Sequence, residues 1–196
     1  MSGNTYEKRE LLVVVDMIRG FIEQGPLSDP AISTIIGDNV ELIKDFTSRN
    51  QAVIAFRDAH DVDSKEFANY PPHCISGSVE SEFVDAIGAF EAEMIVIDKD
   101  TTNGFQTSSF QSFIEHEAPF DKIIVIGCCT DICILQFALS LKTYLQKKKL
   151  DTEVVVVKNA VETFESKDHP RQEFNAFSFK LMQNAGISVP ERWEKQ

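Results

Sequence analysis

The chain of 196 residues is 43% hydrophobic and 26% charged, which is typical of one soluble globular domain, and we expect residues 1–196 to form a single domain. Its 31 acidic and 19 basic residues give a formal net charge of −12, which repels phosphate backbones and argues against nucleic acid as a partner. No apolar run approaches the roughly 20 residues that a helix needs to span a bilayer, so we expect no membrane partner either.

Five short apolar runs rich in valine and isoleucine predict the strands. They are residues 11–15, 52–56, 94–97, 123–126 and 154–157. Each run is continuous rather than alternating, which is typical of strands covered on both faces, as in a parallel sheet. Apolar residues at helical spacing predict helices between the runs, for example over 35–46 and 134–145. This alternation predicts an α/β protein: an open three-layer sheet of mostly parallel strands with helices on both faces.

Two further segments stand outside this series. A last helix is predicted to begin near Asp168, with a proline in its first turn and with Phe174, Phe177 and Leu181 on one apolar face. By contrast, residues 58–93 contain several prolines and glycines and break the alternation of strand and helix. A long irregular segment in a compact domain is more often functional than structural, which makes this one a candidate functional segment.

Polar side chains follow four of the predicted strands. Asp16 ends the first strand, Asp58 and His60 follow the second, Lys99 follows the third, and the cysteine-rich segment 127–133 follows the fourth. In open α/β sheets, ligands bind beyond the carboxyl ends of the strands. Four strand ends that carry such residues therefore predict a functional site at that edge of the sheet.

Cys133 is predicted to lie in the first turn of the helix after the fourth strand, with Thr130 or Asp131 as the N-cap. The unpaired N–H groups and the dipole of the helix favour an anion there, which predicts a lowered pKa for the thiol. Position alone leaves open an inert buried cysteine, and Asp16 and Lys99 taken singly are as compatible with structural roles. Together the three supply the nucleophile, base and cation that a thiol hydrolase needs.

Three segments around these residues resemble the signature segments of the isochorismatase-like cysteine hydrolase superfamily. They are the apolar run that ends in Asp16, Ile97-Asp98-Lys99, and Gly127-Cys-Cys-Thr-Asp-Ile-Cys133. The resemblance covers nearly the whole chain and implies a Rossmann-like sheet of about six strands. It implies that Asp16, Lys99 and Cys133 form the catalytic triad. It also implies a non-proline cis peptide at Cys128–Cys129 and an oxyanion hole made by the N–H groups of Cys129 and Cys133.

A second set of residues is similar to the metal site of nicotinamidases within this superfamily. Asp58-x-His60 followed by Pro72-His73-Cys74 matches the pattern, and Glu66 stands where some bacterial nicotinamidases carry a further ligand. An aspartate and a histidine two residues apart on an extended segment can point the same way and bind one ion. The resemblance implies one divalent metal ion held by these four side chains, whose oxygen and nitrogen donors suit Zn, Mn or Fe.

Aromatic residues complete the predicted pocket. Phe21 and Tyr70 resemble the rings that sandwich the pyridine in nicotinamidases, and Phe105, in the segment after the third strand, is a further candidate for binding the substrate. Core packing is the alternative for Phe21 and Phe105. The two remaining histidines, His116 and His169, have helical, charged surroundings and are predicted to lie on the surface.

The resemblance implies hydrolysis of a small amide substrate, nicotinamide, to nicotinate and ammonia through a thioester on Cys133, a reaction of NAD salvage. An isochorismatase or another small-amide hydrolase of the same fold is the alternative, and a catalytically idle binding module is a rival of another class. Three of the four cysteines fall within six residues, which is no disulfide framework and predicts reduced thiols and a cytoplasmic location. Superfamily members are often dimers or tetramers, which implies a homo-oligomer.

Overall fold

The computed structural model describes residues 8–194, and a single parallel sheet of five strands is its centre. The strands are β1 Glu10–Val15, β2 Ala52–Asp58, β3 Ile95–Lys99, β4 Lys122–Cys128 and β5 Glu153–Glu162. They lie in the order β3-β2-β1-β4-β5, and every neighbouring pair is parallel. The predicted parallel α/β sheet is confirmed, with five strands in place of about six. The expectation of one domain over 1–196 stays a prediction, since it also includes residues 1–7 and 195–196, which lie outside the described residues.

The place of a sixth strand is taken by the segment that follows the last helix. Ser188 forms a single parallel bridge with Val155, and its N–H donates to the carbonyl of Val154 at 2.9 Å. Two residues later, Pro190 accepts a hydrogen bond from the N–H of Lys158 at 3.0 Å but has no N–H of its own to donate. Pro190 therefore cannot return a hydrogen bond, and the segment borders the sheet through one bridge and a few single hydrogen bonds without becoming a strand.

Helices connect the strands and cover both faces of the sheet. They are α1 Arg19–Ile22, α2 Ile36–Ser48, α3 Asp85–Gly88, α4 Ser108–Glu117, α5 Leu135–Lys148 and α6 Arg171–Asn184, with short 3-10 turns at Pro30–Ile35, Lys65–Ala68, Val79–Ser81, Glu91–Glu93 and Gly104–Gln106. Among residues 8–194, no helix is both long and apolar enough to cross a membrane.

Alternate residues of each strand feed two separate cores. In β1, Leu12 and Val14 pack on the face covered by α2, whereas Leu11, Val13 and Val15 pack on the face covered by α4 and α5. All five side chains are buried. Burial on both faces is the physical reason why the strand sequence is apolar without interruption.

The buried face of α6 differs from the predicted one. Phe177 is 62% exposed, and the helix buries Ser178 and Met182 against the sheet side instead. Phe174 packs on the ring of a neighbouring histidine, and Leu181 is only half-buried. The predicted stripe is therefore rotated away from the core, because contacts with the preceding loop set the orientation of the helix and its own apolar pattern does not.

The functional edge of the sheet lies where the strand order reverses, between the adjacent strands β1 and β4. Crossovers leave these two strands in opposite directions, which opens a crevice beyond their carboxyl ends. The two strands approach so closely near this end that only glycine fits at position 127. Gly127 has a φ of 112°, and a Cβ atom there would lie 2.0 Å from the carbonyl oxygen of Val15.

We expect Gly127→Ala to lower the free energy of unfolding by about 3 kcal/mol or more, because the added methyl group must displace the backbone of β1. Gly37→Ala is the matched control: its Cβ would meet no atom within 4 Å, and we expect a stabilisation of up to about 1 kcal/mol in the helix. Urea unfolding followed by circular dichroism measures both. Equal stabilities for the two variants would contradict the close approach of β1 and β4.

Candidate active site and metal centre

A buried group of three charges lies at the carboxyl edge of the sheet, centred on Lys99. This lysine is the last residue of β3, and its Nζ lies 2.8 Å from Oδ2 of Asp16, the residue after β1. The same ammonium donates hydrogen bonds to Oδ1 of Asp58, at the end of β2, and to the carbonyl of Thr101 at 3.2 Å. The lysine and both aspartates are at most 2% exposed. Each of three strand ends thus contributes one charged side chain to the same buried group.

The pKa values of these groups differ because the charges share one buried space. Burial raises the pKa of the Asp16 carboxyl to about 7, although the Lys99 ammonium opposes this. Burial alone would lower the pKa of Lys99, but the two carboxylates outweigh it and raise that pKa well above its ordinary value. Burial would raise the pKa of Asp58, yet Lys99 and two histidines hold it well below its usual range. Asp16 is therefore the carboxylate that can exchange a proton near neutral pH.

Cys133 lies in a π-helical turn, Thr130–Ile134, between β4 and α5. Its side chain is 5% exposed, and burial raises the pKa of the thiol well above its ordinary value, against the lowering effect of Lys99. The predicted lowering of this pKa is wrong, because loss of water outweighs the favourable helix end. The thiol interacts with the carboxylate of Asp16, so an acceptor for its proton is at hand.

The N-terminus of this turn has a different environment from the predicted one. Among the described residues, no side chain caps it, although Thr130 or Asp131 was expected to do so. The carboxylate of Asp131 instead accepts a hydrogen bond from Thr163 Oγ1 at 2.5 Å and lies 2.8 Å from Nε2 of His169. Partners that are more than 30 residues away in the chain have therefore replaced the local cap.

The other two cysteines of the segment have separate surroundings. The peptide bond between Cys128 and Cys129 is cis, as the resemblance implied. The thiol of Cys128 is buried and donates to the carbonyl oxygen of Asp16 at 3.1 Å, which joins β4 to β1. Cys129 borders a cavity together with Cys133, and its carbonyl accepts the N–H of Ile134 at 3.1 Å. The two residues of the predicted oxyanion hole, Cys129 and Cys133, therefore both border the cavity, and that role stays a prediction.

Four side chains of β2 and the segment after it converge on one point: Asp58, His60, Glu66 and His73. Their ligand atoms all lie within 4.8 Å of one another. Oδ2 of Asp58 is 3.4 Å from Nε2 of His60 and 3.6 Å from Nε2 of His73. Oε1 of Glu66 is 3.9 Å from each of these nitrogens. Donors bonded at about 2.1 Å to a tetrahedral ion lie roughly 3.4 Å apart, so the group has the dimensions of a metal site.

The imidazole nitrogens that face this point fit a metal ion. His60 is completely buried, and its Nε2 has no hydrogen-bond partner within the described part of the chain. A buried, unpaired nitrogen is costly unless a ligand satisfies it. His73 donates through Nδ1 to the carbonyl of Pro71 at 2.8 Å, so its Nε2 directs a lone pair toward the group. Two histidines and two carboxylates in this arrangement can hold a divalent cation.

Each carboxylate of this group accepts a hydrogen bond from a residue outside the group through the oxygen that does not face the histidines. Oδ1 of Asp58 accepts from Lys99, while the other oxygen faces the histidines. Oε2 of Glu66 accepts the N–H of Thr102 at 3.1 Å. Such outer partners fix the orientation of ligands and tune their affinity for the metal. Lys99 therefore contacts both Asp58, which belongs to the converging group, and Asp16, which lies beside the thiol of Cys133.

A cavity of about 750 Å³ opens over Cys133 and the metal group. Phe21 and Tyr70 both line it, and their rings lie 5.9 Å and 6.1 Å from the ring of His73. The cavity is mostly apolar and is also bordered by Cys133, Asp58, Glu66 and His73, which is the usual construction of a site for a small molecule. Phe21 and Tyr70 both border the cavity, and their contact with substrate stays a prediction.

Phe105 does not share this position. Its ring packs against Phe110, Phe137 and Tyr144 in the core beside α5, with its centroid 5.4 Å from that of Tyr144. The 3-10 turn Gly104–Gln106 sets this direction and buries the ring. The predicted contact of Phe105 with substrate is therefore corrected to core packing, the alternative that the sequence left open.

Phe164 lines the cavity and was missed by the sequence reasoning. It follows β5, which continues to residue 162, whereas the apolar run ends at residue 157. Polar Lys158 and Asn159 lie in an irregular part of the strand and hide its continuation. Because ligands bind beyond the carboxyl ends of the strands, the true end of β5 at residue 162 would have pointed to Phe164.

A salt bridge in the wall of the cavity is a second feature that the sequence did not reveal. Arg171 donates from Nη2 to Oδ2 of Asp29 at 2.6 Å, and the same oxygen accepts the N–H of Glu165 at 2.9 Å. All three residues line the cavity. Asp29 is 136 positions from Glu165 and 142 positions from Arg171 in the chain, so only the fold brings it to them.

The two histidines predicted to lie on the surface have different positions. His116 is exposed on α4, as predicted. His169 is only 9% exposed, and its ring lies between Phe164 and Phe174. The prediction for His169 is wrong because the charged residues beside it in sequence point outward while its own ring turns inward.

Known proteins share both the sequence pattern and the fold. The family model for the isochorismatase domain matches residues 10–189. Nicotinamidase 1 of Arabidopsis thaliana is 32% identical, with 90% of this chain and 80% of that protein aligned. A nicotinamidase/pyrazinamidase from Bacillus subtilis superposes with a TM-score of 0.79 at 22% identity, covering 93% of this chain and 100% of that one. The pyrazinamidase of Pyrococcus horikoshii in complex with zinc does so with a TM-score of 0.75 at 23% identity, covering 92% and 98%.

We expect the purified protein to bind one divalent metal ion and His73→Ala to weaken that binding by more than the about 10–100-fold that loss of an outer partner costs. His116→Ala, which removes an exposed histidine, is the matched control and should bind as wild type does. Elemental analysis and calorimetric titration with Zn²⁺ and Mn²⁺ measure the difference. Equal affinities in the two variants would show that the four converging side chains are not the metal site.

Proposed function

This chain belongs to the isochorismatase family, and from that premise we propose that it is a nicotinamidase: a hydrolase that converts nicotinamide to nicotinate and ammonia. One observation carries the proposal. The thiol of Cys133, with a buried carboxylate and ammonium behind it, borders the same cavity as Asp58, Glu66 and His73, three of the four side chains that converge as a metal site. The first group is suited to attack on an amide carbon, and the second to holding a ring nitrogen.

In the proposed reaction, Asp16 acts first as the general base. The Cys133 thiol is protonated at rest because burial raises its pKa, so attack requires transfer of that proton. Asp16 can accept it because its own pKa is raised to about 7. Lys99 keeps the site neutralised as the sulfur takes up negative charge, since its pKa is raised and it stays an ammonium.

The thiolate sulfur bonds to the carboxamide carbon, and the carbonyl oxygen becomes an oxyanion. The N–H groups of Cys129 and Cys133 hold that charge. Asp16 returns its proton to the nitrogen as the carbon–nitrogen bond breaks, which releases ammonia and leaves a thioester on Cys133. A water molecule then gives one proton to Asp16 and attacks the thioester carbon. The carbon–sulfur bond breaks, Asp16 passes its proton to the leaving sulfur and restores the thiol, and the nicotinic acid loses its own proton to leave as nicotinate.

The metal group has the role of positioning the ring. Asp58, His60, Glu66 and His73 would hold a divalent ion, which supplies a Lewis acid for a pyridine nitrogen. Phe21 and Tyr70 would contact the faces of the ring, and the amide would then reach the thiol. Zn, Mn and Fe all suit these oxygen and nitrogen donors.

The metal group favours this activity over its alternatives. Hydrolysis of a vinyl ether, the isochorismatase reaction, needs no histidine-bound metal, so it would leave the unpaired nitrogen of His60 without a purpose. An idle binding module is disfavoured because Asp16, Lys99 and Cys133 are all present. We also propose that the enzyme acts in NAD salvage in the cytoplasm as a homo-oligomer, without nucleic acid as a partner. Light scattering on purified protein tests the assembly.

We expect wild type to release ammonia from nicotinamide, and Cys133→Ala to lower the rate by at least about a thousandfold, because the covalent route is removed. Cys74→Ala is the matched control: that thiol is buried against Gly20 and takes no part in the mechanism. Both variants should unfold as wild type does. A Cys133→Ala enzyme with a near-normal rate would show that another group is the nucleophile.

We expect chelation to lower kcat/KM for nicotinamide and a single divalent metal to restore it, because the ring nitrogen loses its anchor. Reloading with Zn²⁺, Mn²⁺ or Fe²⁺ separately identifies the effective ion. Pyrazinamide, whose ring also carries nitrogen, should behave like nicotinamide, whereas acyclic amides should be poor substrates with or without metal. Unchanged activity in metal-free protein would contradict the positioning role.

A further inference from the structure

His169 occupies a buried site that the proposed reaction does not use. The rings of Phe164 and Phe174 stack on its two faces, with centroids at 3.8 Å and 3.7 Å and interplanar angles of 9° and 29°. Phe164 also lines the substrate cavity. The imidazole is therefore the middle layer of a three-ring stack whose outermost ring forms part of the cavity wall.

Both nitrogens of this imidazole face acceptors. Nδ1 lies 3.0 Å from the carbonyl oxygen of Phe164, and Nε2 lies 2.8 Å from Oδ2 of Asp131. The imidazole therefore bridges the backbone carbonyl of Phe164 and the side chain of Asp131.

Through these two contacts His169 reaches both parts of the active site. Asp131 belongs to the turn Thr130–Ile134 that carries Cys133, and its other oxygen accepts from Thr163 beyond β5. This carboxylate ties the turn to the segment that follows β5, in place of the cap that the turn lacks. In the same way, the contact between Nδ1 and the carbonyl oxygen of Phe164 fixes the backbone of a residue whose ring lines the cavity.

We propose that His169 is a positioning residue for the amide hydrolysis, acting on Cys133 through Asp131 and on the bound substrate through Phe164. The proposal rests on the proposed function, since it takes Cys133 as the nucleophile. It assigns separate effects to the two nitrogens. Loss of the Nε2 contact should slow the chemical step, because the turn with the thiol and the oxyanion hole loses its tie. Loss of the Nδ1 contact should weaken substrate binding, because the cavity wall loosens.

Two substitutions separate the contacts. The amide nitrogen of asparagine reaches the place of Nδ1, and that of glutamine reaches the place of Nε2. We expect His169→Asn to lower kcat about ten- to hundredfold, as expected for loss of a hydrogen bond to a charged group, with KM within about threefold of wild type. We expect His169→Gln to show the opposite split, with kcat within about threefold and KM raised about five- to tenfold.

A double-mutant cycle tests the route through Asp131. Asp131→Ala should lower kcat as His169→Asn does, and the double variant should be no slower than Asp131→Ala alone, because the contact is already lost. If the double variant instead lost kcat by the product of the two single-variant factors, the two residues would act independently and the route through Asp131 would be overturned. Equal changes of kcat and KM in the two His169 variants would overturn the assignment of separate roles and leave a purely structural residue.

Reaction of Cys133 with iodoacetamide, followed by mass spectrometry, gives a readout that needs no substrate. We expect His169→Asn to lower this alkylation rate about tenfold, in the same direction as kcat, and His169→Gln to leave it near that of wild type. The matched control pair is His116→Asn and His116→Gln, which alter an exposed histidine. If wild type failed to hydrolyse nicotinamide, the proposed function would fail, while equal alkylation rates in both His169 variants would overturn the positioning role by itself.

Discussion

The ammonium of Lys99 is buried between the carboxylates of Asp16 and Asp58, and the rest of the site is arranged around these three charges. Placing ions in a protein interior costs several kcal/mol each unless partners compensate. Here each charge compensates another, so removing one would leave its neighbours buried and unpaired. Because Asp58 also faces the two histidines, the metal group and the thiol side share one electrostatic unit.

The parallel sheet is what allows residues far apart in the chain to form this unit. Carboxyl ends of parallel strands meet at one edge, and the reversal of strand order between β1 and β4 opens a crevice there. Asp16 lies on one side of that crevice and Cys133 on the other. The close approach at Gly127 and the bond from Cys128 to the Asp16 carbonyl hold the two sides together. The fold thus supplies proximity, and the burial supplies the altered pKa values.

Much of the site was predictable because strand ends can be recognised locally. A continuous apolar run followed by a polar residue marks the edge of a parallel sheet, and this reasoning grouped Asp16, Lys99 and Cys133 with Asp58 and His60. The other two residues of the converging group, Glu66 and His73, were predicted from the family resemblance alone. The reasoning from strand ends failed at β5, where polar Lys158 and Asn159 interrupt the run, and so it missed Phe164. It also misjudged the thiol pKa, since a helix end is visible in the sequence whereas the degree of desolvation is not.

The sequence by itself determined the strands, their parallel arrangement and which polar residues meet at the edge, because apolar patterns and the handedness of crossovers are local properties of a chain. Only the tertiary structure decided which way individual rings turn. Phe105 entered the core, Phe164 joined the cavity wall, and His169 became buried between two phenylalanines. Those outcomes depend on packing between segments distant in sequence, where a few ångströms of placement separate a surface residue from one buried beside the cavity.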